Sequence, residues 1–120
     1  MAVEREVVGD DDDLYRRLAR HHVKENGQVS SSAFKRGKDP DPEVSVNLAR
    51  LMSYDEMLRR ANRPDQGVGV IVARIPRRLG LTVRHDPVAG NPAHSVIEGQ
   101  TTRAQPRQLA EETRILKYPD

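Results

Sequence analysis

The chain contains no cysteine and no tryptophan, and only one phenylalanine and three tyrosines among its 120 residues. The missing thiols exclude disulfides, cysteine nucleophiles and thiolate zinc sites, which leaves His, Asp and Glu as the good metal ligands. With aromatics at 3%, the core has to be built from Leu, Val, Ile and Ala around Phe34, Tyr15, Tyr54 and Tyr118. That predicts modest stability, or a partner that covers apolar surface. No run reaches the roughly 18 to 20 apolar residues of a membrane span, and MAVEREVVGDDDD lacks the apolar segment of a secretory signal. The expectation is a soluble, cytoplasmic, bacterial-type protein without a membrane partner. Also missing are a glycine-rich phosphate loop, a serine in a nucleophile elbow, internal repeats and low-complexity tracts. No cofactor is expected.

Charged residues make up 32% of the chain, yet the net charge is only +2. Their distribution is uneven: residues 1–60 carry 11 basic and 12 acidic side chains, and residues 61–120 carry 9 and 6. Arginine outnumbers lysine 16 to 4, and the pI is near 9.2, which permits contact with polyanions without demanding it.

The clearest pattern lies in residues 67–99. Val68, Val70, Ile71, Val72 and Ala73 form a β-branched run of strand length, read as the central strand. Pro76 suits the first turn of a short helix over 76–79, and Gly80 closes it. Leu81 to Arg84 alternate as a half-buried strand does. Residues 85–92, HDPVAGNP, form a loop by composition, and Ala93 to Glu98 return as a strand. His85 and His94 therefore stand at the two ends of one loop.

Elsewhere, Asp10 to Asp13 precede Leu14, Leu18 and His22 at helical spacing, so the sequence predicts an acid-capped helix over 12–24. His21 and His22 would diverge on it by about a hundred degrees and could not share an ion. Residues 1–9 are expected as a flexible segment or a short edge strand through Val3, Val7 and Val8, ahead of a single domain over 10–120. Phe34 anchors a serine-rich approach, and residues 35–42, KRGKDPDP, form a surface loop. Val44, Val46 and Leu48 alternate as a strand. Ser53 with Glu56 fits a capping box opening a helix over 53–61, which Asn62-Arg63-Pro64 ends. Pro106, Leu109 and Ala110 predict a helix over 106–113, with Ile115 and Leu116 capping the core. The sum is an α+β domain: a small mixed or antiparallel sheet covered by about three short helices.

Two imidazoles and a carboxylate at strand ends, His85, Asp86 and His94, can hold a metal ion or supply a general base near neutral pH. Their spacing matches no standard metal motif, and a hydrogen-bonded turn explains the same residues. Lys35, Arg36, Lys38, Arg77, Arg78 and Arg84 are the candidate binding residues, for an acidic protein partner or, alternatively, for nucleic acid. Scarce aromatics argue against stacking on single strands. Leu14 to Arg16, the serine-rich segment ending at Phe34 and the strand-end Glu98 are similar to the Arg, Ser and Glu order of ADP-ribosyltransferases. That resemblance implies an Arg16 that positions a nicotinamide dinucleotide and a Glu98 that orients the nucleophile or a sugar hydroxyl. It also requires Arg16 on a strand, against the helix predicted over 12–24. The leading expectation is a noncatalytic module that binds a protein partner or a second copy of itself, through the 85–94 and 35–42 loops and nearby arginines. A His/Asp-dependent or ADP-ribosyltransferase-like enzyme and an arginine-rich nucleic-acid binder are its rivals.

Overall fold

Alternation of apolar and polar residues, with turns between, gives this chain eight short strands among its helices and turns. The computed structural model describes residues 4–120. Its elements are β1 (Asp13–Leu18), β2 (Lys35–Arg36), β3 (Asp39–Pro40), β4 (Glu43–Leu48), α1 (Tyr54–Arg60), β5 (Gly67–Val72), α2 (Arg74–Arg78), β6 (Thr82–His85), β7 (His94–Glu98), α3 (Ala104–Glu111) and β8 (Arg114–Lys117). Six strands form one antiparallel sheet in the order β6-β7-β4-β1-β5-β8, and β2 pairs with β3 as a separate hairpin. The fold is α+β, as the pattern predicts.

The helix expected over 12–24 does not form. Residues 13–18 are β1, followed by a 3-10 turn over Arg20–His22. The spacing of Leu14 and Leu18 is compatible with both periods, because four residues apart is one helical face and also one strand face. Tertiary contact decides: Leu14 and Leu18 are wholly buried in the main core, while Tyr15 packs into a second apolar cluster on the other side of the sheet. The four aspartates accordingly cap no helix. Asp10 meets Arg77 at 2.6 Å, Asp11 meets Arg74 at 2.6 Å and Asp12 meets Arg50 at 3.0 Å.

Two further expectations are corrected. The run at Val68–Val72 is a strand but not the central one: β5 is fifth of six, and β4 and β1 hold the middle. Ile115 and Leu116 do not simply cap the core. They belong to β8, whose pairing to β5 is interrupted by an irregularity between Val68 and Gly69. The helix expected over 76–79 starts two residues earlier, as α2 over Arg74–Arg78 with Pro76 in its first turn, and Gly80 follows its end at φ 83°. The Ser53 hydroxyl accepts the Glu56 N–H at 3.2 Å, but only half the capping box is made. Glu56 turns its carboxylate to Arg59 and Arg60, which hold its pKa down at about 2.

The larger core fills one face of the sheet, with Phe34, Val44, Leu48, Ile71, Ile97 and Leu109 fully or almost fully buried. On the other face α1 lays Met57 and Leu58 against Val68, Ala93 and Tyr15, and the Tyr15 and Tyr54 rings meet edge to face at 5.9 Å. Residues 4–9 form no strand. They are fastened by Val8 in the core, by the Glu6 N–H donating to His85 Nδ1 at 2.8 Å, and by Arg50 donating to Glu6 and to the Val7 carbonyl. Val3, part of the expected edge strand, lies outside the described residues.

His22 accepts the Ala19 N–H on its Nδ1 at 3.0 Å, and burial, reinforced by the His21 ring and Arg16, lowers its pKa to about 4. Between pH 4 and 6.5 the unfolded chain therefore binds the proton that the folded ring refuses, so stability falls as the pH drops through that window. We expect the melting temperature of His22→Asn, whose amide oxygen can replace the Nδ1 acceptor, to depend less on pH between 6.5 and 4 than that of the parent. Parallel profiles from calorimetry would contradict this assignment.

Candidate functional site

The site arises where two neighbouring strands part. β1 pairs with β5 at all six of its positions, but with β4 only at Leu14↔Leu48 and Tyr15↔Asn47. Beyond Tyr15 the ladder is open, and backbone groups that a strand would have paired need other partners. Arg16 meets one of them, its Nη1 donating to the Ser45 carbonyl at 2.9 Å, while its Nε donates to the Ala33 carbonyl of the neighbouring 3-10 turn at 3.0 Å. The opening continues as a cleft of about 270 Å³, walled by α1 and by the loop between β6 and β7.

The charge in this cleft is of one sign. Arg16, Arg17 and Arg60 line it with His94, Ser45, Asn47, Asn91 and Tyr15, and no carboxylate does. Arg60 is paired with Glu56 at 2.7 Å. Among the described residues Arg16 and Arg17 have no carboxylate within 4.0 Å; Arg17 donates only to the neutral Gln66 amide oxygen, at 2.9 Å. Burial lowers the pKa of both guanidiniums. For Arg16, Asp41 offsets part of the effect and Arg17 adds to it; for Arg17, Arg63 adds to it. Successive strand residues project to opposite faces, so Arg16 fills the gap between β1 and β4 while Arg17 is exposed at the cleft.

His94, on β7, faces Ser45 diagonally across the sheet, because Asn47 is its register partner on β4 and Ser45 is two residues away on the same face. Its Nδ1 lies 2.8 Å from the Asp86 carbonyl and its Nε2 3.2 Å from Ser45 Oγ. A carbonyl can only accept, so Nδ1 carries the proton and the Nε2 lone pair points at the serine hydroxyl. The Asp86 carboxylate stands 3.6 Å from Nδ1 and is held by Arg84 at 3.2 Å. The loop itself is tied to its surroundings by Asn91 donating to Asn47 Oδ1 at 2.9 Å and by Arg60 donating to the Gly90 carbonyl at 3.1 Å.

His85 does not share this site. It is buried on the core face, accepting the Glu6 N–H on Nδ1 and therefore donating from Nε2 to the Pro92 carbonyl, at 2.6 Å. Both nitrogens are committed, so the ring is a neutral structural clamp. Among the described residues no group of three or more His, Cys, Asp or Glu side chains is arranged to hold a metal ion.

The remaining candidates are dispersed. Arg16 does sit on a strand, but Glu98 is outside the cleft, clamped by Arg84 at 2.7 Å, and Ser30 caps the 3-10 turn of Ser31–Phe34. Arg36 pairs with Asp41, and Arg77 binds Asp10 and the Val8 carbonyl. Arg78 and Lys38 are exposed, and Lys35 lines a broader groove of about 1020 Å³ beside α3, where Glu111 and Glu112 interleave with Arg103, Arg107 and Arg114. The 35–42 segment adjoins the Glu98 end of β7, through the Gly99 N–H on the Pro42 carbonyl, whereas the 86–93 loop adjoins its His94 end. The two loops expected to share one face are therefore at opposite ends of that strand.

Sequence reasoning overlooked Ser45, Arg17, Asn47 and Asn91. The available signal was strand alternation, which puts Ser45 and Asn47 on the face opposite Val44 and Val46; what they face across the sheet is not encoded locally. No family model, curated protein or solved structure matches this chain.

Proposed function

We propose that this domain binds a small organic anion, a carboxylate or phosphate ester, in the cleft between β1, β4 and α1. The observation that carries the reading is the pair of arginines without carboxylate partners, Arg16 and Arg17, in a cleft lined by no acidic residue. Guanidinium groups present planar, forked donors that suit either anion, and Tyr15 and Met57 supply apolar wall for the rest of the ligand. Fixed partners already position Arg16, so little side-chain freedom is left to lose on binding.

The alternative of a protein-binding module draws on no comparable feature. Val7, Leu51, Val88, Leu116 and Tyr118 are exposed apolar side chains on four segments of the chain, with Leu116 and Tyr118 two residues apart at the outer strand. Nucleic-acid binding loses support because Arg36, Arg77 and Arg84 are engaged by carboxylates. No helix among the described residues is long and apolar enough to cross a membrane.

Titration with succinate and with inorganic phosphate, followed by amide chemical shifts, tests the reading. Expected is saturable movement of Tyr15, Arg17, Ser45 and His94, weakening with salt. Arg17→Gln should lower the affinity about tenfold, since a charged hydrogen bond contributes about 1.5 kcal/mol or more. Shifts confined to the groove beside α3, or none at all, would remove the proposal.

A further inference from the structure

We propose that Ser45 is a nucleophile and His94 its general base, and that the domain hydrolyses esters of small dicarboxylic acids. This rests on the anion-binding reading and specifies its substrate. The Asp86 carbonyl fixes the proton on His94 Nδ1, which leaves Nε2 as the acceptor 3.2 Å from an exposed serine hydroxyl inside the cleft. The Asp86 carboxylate, 3.6 Å from Nδ1, favours the imidazolium that forms when Nε2 takes a proton. Arg16 donates to the Ser45 carbonyl, so one cation lies beside the residue whose attack would generate an oxyanion. Arg17, on the same wall, takes the free carboxylate of the substrate.

The chemistry balances without a further reactant except water. As Ser45 Oγ bonds to the acyl carbon, its proton passes to His94 Nε2; the acyl carbon–oxygen bond breaks, and the departing alcohol takes that proton. Water then gives a proton to Nε2 and bonds to the acyl carbon, the bond to Oγ breaks, and the proton returns to Ser45 with release of the acid. Asp86 and Asn91 are positioning residues here, holding the ring and the loop.

The test uses the whole chain with p-nitrophenyl hemisuccinate and, as a neutral comparator, p-nitrophenyl butyrate. Expected is a burst of p-nitrophenolate on the anionic ester, at least about tenfold faster than on the neutral one, and a covalent adduct on Ser45 with diisopropyl fluorophosphate located by peptide mass. Ser45→Ala should lose about a hundredfold or more in rate while still binding succinate. Arg17→Gln should lose the preference for the charged ester but keep the adduct. A Ser45→Ala rate equal to the parent's, or an adduct on another residue, overturns the nucleophile while succinate binding preserves the anion cleft. Failure of the parent chain to bind succinate at all overturns both.

Discussion

Phe34→Ala should cost this domain about 3–5 kcal/mol, the usual loss when a large buried aromatic is truncated and the space left behind cannot collapse. Phe34 is the single phenylalanine of the chain and is fully buried, at the end of a 3-10 turn whose only other buried residue is Ala33. Its carbonyl accepts Gln100 Nε2 at 2.8 Å and the Asp41 N–H at 3.2 Å, so the same residue ties the β2–β3 hairpin to the end of β7. With few other rings to share the load, the cavity should be felt across α3 and β4. Since whole domains are stable by only about 5–15 kcal/mol, the urea midpoint should fall steeply. Phe34→Leu should recover more than half of the loss. A cost below about 1 kcal/mol for the alanine variant would mean that this turn does not belong to the core.

Gly67→Ala is expected to detach the outer strand. A methyl group on Gly67 would overlap the Lys117 carbonyl oxygen and stand 2.7 Å from the Pro119 ring and nitrogen, and none of these can rotate away as a flexible side chain would. The remaining way out is for β8 to shift. Overpacking alone costs about 1–3 kcal/mol, and losing the pairing at Val68↔Lys117 adds to it. Hydrogen exchange should show residues 114–117 losing protection, while the inner pair β4–β7 keeps it. Unchanged protection of β8 would contradict the close approach of these two strands.

How far the chain could be read depended on whether one period or two fitted it. Val44–Leu48 and Val68–Val72 alternate or run with β-branched residues between turn signals, and both form strands close to the expected bounds. Ser53 marked the start of α1 because a hydroxyl at that place satisfies an amide whatever packs above it. Residues 13–18 failed because Leu14 and Leu18 fit a helix as well as a strand, and the aspartates ahead of them fit a helix cap as well as partners for Arg50, Arg74 and Arg77. Pro76 and Gly80 were legible for the opposite reason: ring closure and a left-handed φ restrict them to few roles.

The loop ends were visible in the same way, but their chemistry was not. His85 and His94 flank one turn, and only the sheet puts the first under the core, clamped by Glu6 and Pro92, and the second over Ser45, which lies 49 residues earlier. Composition by itself excluded thiol chemistry and disulfides, and local patterning determined the four strands β4 to β7 and the start of α1. Which strands became neighbours, where β1 and β4 separate, and which arginines were left without a carboxylate depended on contacts between residues far apart in the chain. Short-range propensities are worth tenths of a kcal/mol and say nothing of such contacts, whereas burial across the sheet is worth whole ones, so tertiary structure decided the site.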